Sequence, residues 1–126
     1  MPVDEDVLKT RISDVRLAAK ELQRLASKPF VELNVDEKYS MRYNVVVLVE
    51  SLVSLCVHIA TEAYDQRPMS YKEAVRIVAE KLNLRCIEDL ESLVSLRNLL
   101  IHRYWIVNDK KIYEGVKTNF KCVNRY

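Results

Sequence analysis

The chain has 126 residues and 49% hydrophobic content, enough for one sizeable core and short for two. One Gly and three Pro leave few turn makers, which excludes a fold of many short strands. A net charge of +2 excludes a surface that coats nucleic acid indiscriminately, so any RNA contact has to come from a local patch.

One domain over residues 1–126 is therefore expected, as an all-α antiparallel bundle of four to five helices. Cys56, Cys86 and Cys122 are widely spaced, odd in number and without a C-x-x-C pair. Neither a zinc site nor a disulfide framework is indicated, and all three read as small buried hydrophobes in a reducing compartment. No metal or cofactor is expected. The first residues are acidic where a secretory leader is basic, which points to a cytoplasmic protein. The run from Val45 to Ile59 is strongly apolar, but it holds Glu50 and His58 and is shorter than the ~20 residues of a membrane span. It reads as a buried core helix, with no membrane as partner.

Asp4 suits the cap of a first helix, and Glu5 and Asp6 favour its positive end. Leu8, Ile12, Val15, Ala19, Leu22 and Ala26 recur at helical spacing as one apolar stripe. Lys9, Arg16, Lys20 and Arg24 fall mostly outside it, as a solvated face does. Pro29 ends the helix. A second helix starts near Asn34 to Asp36 and runs to about Tyr64. Its middle is apolar on nearly every side, which places it at the centre of the bundle or against a second copy of the chain. Ser51, Ser54, His58, Thr61 and Asp65 form a thin polar stripe along it, and His58 reads as a hydrogen-bonded structural residue.

Ser70 caps a third helix, with Glu73 completing a capping box. Ala74, Ile77, Val78 and Leu82 give that helix its buried side. A fourth helix spans about Ile87 to Tyr104. After a loop at Val107-Asn108-Asp109, a fifth is marked by Ile112, Val116, Phe120 and Val123. Lys110, Lys117 and Lys121 make a modest basic strip on it.

The late part of the fourth helix is the candidate site. It should bury itself, yet it carries Arg97, His102, Arg103, Tyr104 and the only tryptophan, Trp105. Such groups are costly in a core unless paired. At 100° per residue, Ile87, Leu90, Val94, Arg97, Ile101 and Tyr104 form one stripe, and Glu91, Ser95, Asn98 and His102 another. Arg97 and His102 then lie about 140° apart and do not face each other on one straight helix. Either the helix loosens before His102, or two chains pair so that one cleft holds Arg and His from both. Asn98, four residues before His102, can orient the imidazole or hold a phosphate. An Arg paired with an acidic side chain, plus a His and a Tyr closing the helix, accounts for the same residues without any chemistry.

Arg97-Asn98-x-x-x-His102-x-Tyr104 resembles the R-x4-H-x-Y signature of the HepT toxins, a branch of the HEPN superfamily. The resemblance extends from about Leu8 to Phe120. It takes in the apolar second helix, the Pro-Met-Ser-Tyr-Lys-Glu connector, and Tyr-Trp followed by a loop and Ile112-Tyr113-Glu114. It implies a HEPN-like bundle that forms a homodimer, with the signature of both chains lining an interface cleft. It also implies a metal-independent endoribonuclease, the toxin of a type VII-like toxin–antitoxin system. The implied partners are an RNA substrate and a MNT-type nucleotidyltransferase antitoxin, which silences the toxin by transferring AMP onto Tyr104. The chain departs from many relatives in carrying Arg103 between the His and the Tyr, and in a second helix whose polar residues are mainly Ser, Thr and His; if an acidic residue there matters for activity, Glu50, Glu62 and Asp65 are the nearby candidates.

The residue types suit that chemistry. His moves protons near neutral pH, and the planar fork of Arg holds phosphate oxygens. His102 would be the acid/base and Arg97 the phosphate ligand, with Asn98 supporting. The competing readings are a non-catalytic HEPN module that binds a nucleotide or the transferase, and a plain interaction bundle.

Overall fold

The computed structural model describes residues 5–83, 86–103 and 106–123, with side chains as far as Thr118. The helices are α1 (Glu5–Ala26), α2 (Val35–Tyr64), α3 (Tyr71–Lys81), α4 (Ile87–His102) and α5 (Asp109–Val123). One 3-10 turn, Phe30–Glu32, separates the first two, and no strand occurs among the described residues. Asp4, the expected first cap, lies outside the described residues.

α2 is the axis of the bundle and touches all four other helices. Its start is fixed by a reciprocal cap. Asn34 Oδ1 accepts from the Glu37 N–H at 2.8 Å, and Glu37 Oε1 accepts from the Asn34 N–H at 3.1 Å. Two orphan donors are thereby satisfied. At the other end Asp65 turns to φ 51°, and the Gln66 N–H returns to the Ala60 carbonyl at 2.8 Å. The short polar side chain of Asp tolerates that left-handed conformation. Between these ends α2 buries Val45, Leu48, Val49, Leu52, Val53, Cys56 and Ala60. It is long and apolar enough to cross a membrane by length and composition, and here 44% of its apolar window is buried inside the bundle.

α1 lies along α2 and buries Ala18, Leu22, Leu25 and Ala26. The core thus sits under its C-terminal half, and Ile12, expected on the buried stripe, is exposed. Pro29 follows α1 as expected, and Tyr113 of α5 seals the junction, donating to the Lys28 carbonyl at 2.6 Å. Ser70 caps α3 by accepting from the Glu73 N–H at 3.1 Å, one half of the expected box. Ala74, Val75, Val78 and Ala79 are buried. Leu82, expected among them, is half-exposed: α3 stops at Lys81 and Asn83 turns to φ 55°, so helical periodicity no longer directs it inward.

α4 contributes Leu90, Leu93, Val94, Leu96 and Leu100 to the core. It meets α5 at Gly115, where a Cβ would lie 2.6 Å from Leu96 Cδ1. The chain's only glycine therefore permits this close approach. α4 ends at His102, two residues before the expected Tyr104, with the Arg103 N–H bonded to the Leu99 carbonyl at 2.8 Å. α5 begins at Asp109, which was expected in the loop. Its Lys110 and Lys117 are exposed, whereas the side chain of Lys121 lies outside the described residues. Of the cysteines, Cys56 is free and buried as expected. Cys86 corrects the expectation, because it is disulfide-bonded. Spacing along a chain does not report which Cα atoms approach in space, and bridging depends on that approach.

Candidate active site

α4 crosses both α2 and α3, so a side chain on its inner flank meets both. Arg97 occupies that flank. Its Nε donates to Glu50 Oε1 at 2.5 Å, and its Nη2 is ion-paired with the same carboxylate. Nη1 donates to Asn98 Oδ1 at 3.0 Å, and Nη2 to Tyr71 Oη at 3.3 Å. Cζ stands 4.5 Å from the centre of the Tyr71 ring. The Tyr71 hydroxyl closes the circuit by donating to Glu50 Oε2 at 3.0 Å. One guanidinium is thus held by groups from three helices.

The Arg97 side chain is 16% exposed and that of Glu50 40%, so the cation is held inside and its counter-ion lies nearer the surface. A cation this far from water needs such partners. Among the described residues no buried side-chain nitrogen or oxygen lacks a hydrogen bond. Burial first, and then the bond to Glu50, pushes the Tyr71 hydroxyl above the usual phenol range. It remains a donor at neutral pH.

His102 is exposed on the last turn of α4. α4 runs unbroken to it, and none of the Arg97 hydrogen bonds given above reaches it. Of the two expected arrangements, loosening of the helix before His102 does not occur. The carboxamide oxygen of Asn98 faces Arg97. Tyr104 and Trp105 lie outside the described residues. His58 is half-buried on α2. Among the described residues no group of three His, Cys, Asp or Glu is placed to hold a metal ion.

Sequence reasoning placed Glu50, Glu62 and Asp65 together as acidic candidates, and the fold selects Glu50. It missed Tyr71. The available signal was an aromatic residue directly after a helix cap, where the first turn gains little from one.

Over residues 12–126 the sequence matches the family described as Ribonuclease HepT-like. The chain belongs to the HepT-like ribonuclease family. No curated protein matches it by sequence. Among solved structures, this HepT-like chain is similar to YutE from Bacillus subtilis, described as a cytosolic protein of unknown function. That likeness has a TM-score of 0.82 at 14% identity and covers 97% of this chain and 84% of the other. It is also similar to a chain of a toxin–antitoxin crystallised with AMP-PNP, with a TM-score of 0.71 at 17% identity, covering 96% of this chain and 99% of the other. A mutant of the toxin–antitoxin MntA–HpeT gives a TM-score of 0.70 at 17% identity, again over 96% and 99% of the two chains. The HepT-like fold is common to all three.

Proposed function

We propose that this HepT-like protein is the toxin of a toxin–antitoxin pair and a metal-independent endoribonuclease. Its cleft would form where two copies meet. The observation that carries the reading is the caged Arg97, a cation held in place on the helix that ends in exposed His102. Family membership supplies the reaction class.

In this reading Arg97 binds the scissile phosphate as charge builds on it. His102 moves a proton on or off the 2′-oxygen or the leaving 5′-oxygen. Asn98 supports Arg97. The products are a 2′,3′-cyclic phosphate and a 5′-hydroxyl.

The homodimer is supported by the surface around the cage. At 100° per residue Tyr43, Glu50 and Val57 share one face of α2, and Ile101 follows Arg97 by four on α4. Tyr43, Val57 and Ile101 are all exposed. A second copy covering them brings two cages and two His102 side chains to one cleft. The toxin–antitoxin neighbours support a MNT-type nucleotidyltransferase partner. That the partner transfers AMP onto Tyr104 is part of the proposal and rests on the R-x4-H-x-Y resemblance alone. A cytoplasmic location is part of the reading because the RNA lies there, and the likeness to YutE, described as cytosolic, supports it.

Arg97→Ala and His102→Ala are each expected to cut RNA in EDTA about a hundred-fold or more slowly than the parent. Ile101→Glu is expected to yield monomers on light scattering and lose cleavage. Arg97→Ala and His102→Ala proteins that both cut at the parent's rate would end the nuclease reading.

A further inference from the structure

An arginine meets a phosphate productively when its long side chain is already fixed, because the ordering cost is then met before the transition state. Tyr71 is built to fix it. Its ring stacks on Arg97 at 4.5 Å, while its hydroxyl accepts from Nη2 at 3.3 Å and donates to Glu50 Oε2 at 3.0 Å. Glu50 takes the edge formed by Nε and Nη2. On the remaining side, Nη1 is engaged by Asn98 Oδ1 at 3.0 Å. That acceptor is neutral, and a phosphate oxygen makes the stronger, charge-assisted bond.

We propose that Tyr71, with Glu50, is a positioning residue: the two lock the guanidinium of Arg97 so that its Nη1 side is presented to the scissile phosphate, which takes the place of Asn98 Oδ1. Glu50 remains bound throughout and keeps the guanidinium plane from turning. The inference rests on the nuclease reading above and names two residues that act through Arg97.

The test is steady-state cleavage of a defined single-stranded RNA by the purified full chain. Tyr71→Phe keeps the stack and removes the hydroxyl. Glu50→Gln keeps an acceptor and removes the charge. Both are expected to lower kcat about ten-fold with KM within about two-fold: Tyr71→Phe loses the hydroxyl's bonds to Arg97 and Glu50, and Glu50→Gln loses the charge. Tm should hold in Tyr71→Phe and fall in Glu50→Gln, which leaves the guanidinium without its counter-ion, so kcat is compared on folded protein. Arg76→Ala is the control for docking of α3 on α4. It breaks the bonds from Nε and Nη2 of Arg76 to Glu91 Oε1, at 3.1 and 2.7 Å, without touching the cage, and should leave kcat as it was. In an Arg97→Lys background, where no planar fork remains to be turned, Tyr71→Phe should have no further effect.

Parent-like kcat in Tyr71→Phe and Glu50→Gln overturns the inference, as does an equal loss in the Arg97→Lys background. Should Tyr71→Phe fail to fold, Glu50→Gln decides alone, since Gln keeps an acceptor for Nε at a side chain that is 40% exposed. An inactive Arg97→Ala beside a fully active Tyr71→Phe removes this inference and leaves the nuclease reading standing. Parent-like cleavage by Arg97→Ala removes Arg97 from the chemistry and this inference with it.

Discussion

The Tyr113 hydroxyl shows how one polar atom can hold a junction that hydrophobic pattern does not specify. It donates to the Lys28 carbonyl at 2.6 Å and lies 3.3 Å from the Ala26 carbonyl, so it serves one acceptor in the turn after α1 and the last carbonyl of α1 itself. Tyr113→Phe keeps the ring and its edge contact with Phe30, centroids 5.5 Å apart, and strands those acceptors. A loss of about 1–1.5 kcal/mol is expected, read as a Tm lower by roughly 3–6 °C in a calorimetric scan. A Tm within a degree of the parent would mean water serves those carbonyls equally well. At this scale the sequence is least legible. Glu50, Glu62 and Asp65 are equivalent on paper, and only the crossing of α4 over α2 distinguishes Glu50. Tyr71 is marked in its own helix only as an aromatic residue directly after a cap, because its role depends on residues 21 positions before it and 26 after it.

Helices were far more legible than contacts, because each carries its start and stop in its own composition. Asn34 with Glu37 and Ser70 with Glu73 announce two starts, and Pro29 an end. The end of α4 was misread, since Arg103, Tyr104 and Trp105 hold no breaker. What joins the elements is hidden for the same reason that Tyr71 was. Arg42 is 8% exposed, on a helix that reads as apolar core. Its Nε donates to Asp109 Oδ1 at 2.5 Å and its Nη2 to the Val107 carbonyl at 3.1 Å, tying α2 to the first residue of α5. A solvated pair would contribute little, whereas breaking a pair with one partner this deeply buried leaves a cation stranded. Asp109→Ala is expected to cost about 3 kcal/mol in urea unfolding, and Arg42→Met clearly less, because Met fills the space without leaving a charge. Equal costs would show that the pair acts by packing alone.

Over the whole molecule, the titrating groups set the pH window in which the bundle is stable, and the two sides of that window have different origins. On the acid side Glu21 and Glu37 lie below the ordinary carboxylate range. The first cause is the Arg24 side-chain bond for Glu21 and the Lys28 side-chain bond for Glu37. Their contribution is present above the unfolded carboxylate value of ~4.5 and fades as pH falls through the folded values. Their cationic partners Arg24 and Lys28 are solvated, with side chains 55% and 44% exposed, so that limb should be shallow and weakened by salt. On the alkaline side burial pushes the Cys56 thiol up to about 12, and Tyr71 is raised as well. A raised folded value means the folded chain keeps protons that the unfolded chain releases. The contribution is therefore complete below the unfolded thiol value and is lost as pH climbs through the folded one. Above about pH 9 the thiol alone should cost on the order of 1.4 kcal/mol per pH unit until its folded value is reached. Tyr71 adds to the slope above about pH 10. Urea unfolding at pH 7, 9, 10 and 11 should therefore give a plateau followed by a steep decline. Cys56→Ala should unfold more easily at pH 7, since it leaves a small void, and should decline less steeply above pH 9. An alkaline slope that Cys56→Ala leaves untouched would place its origin in groups other than the thiol at the centre of the bundle.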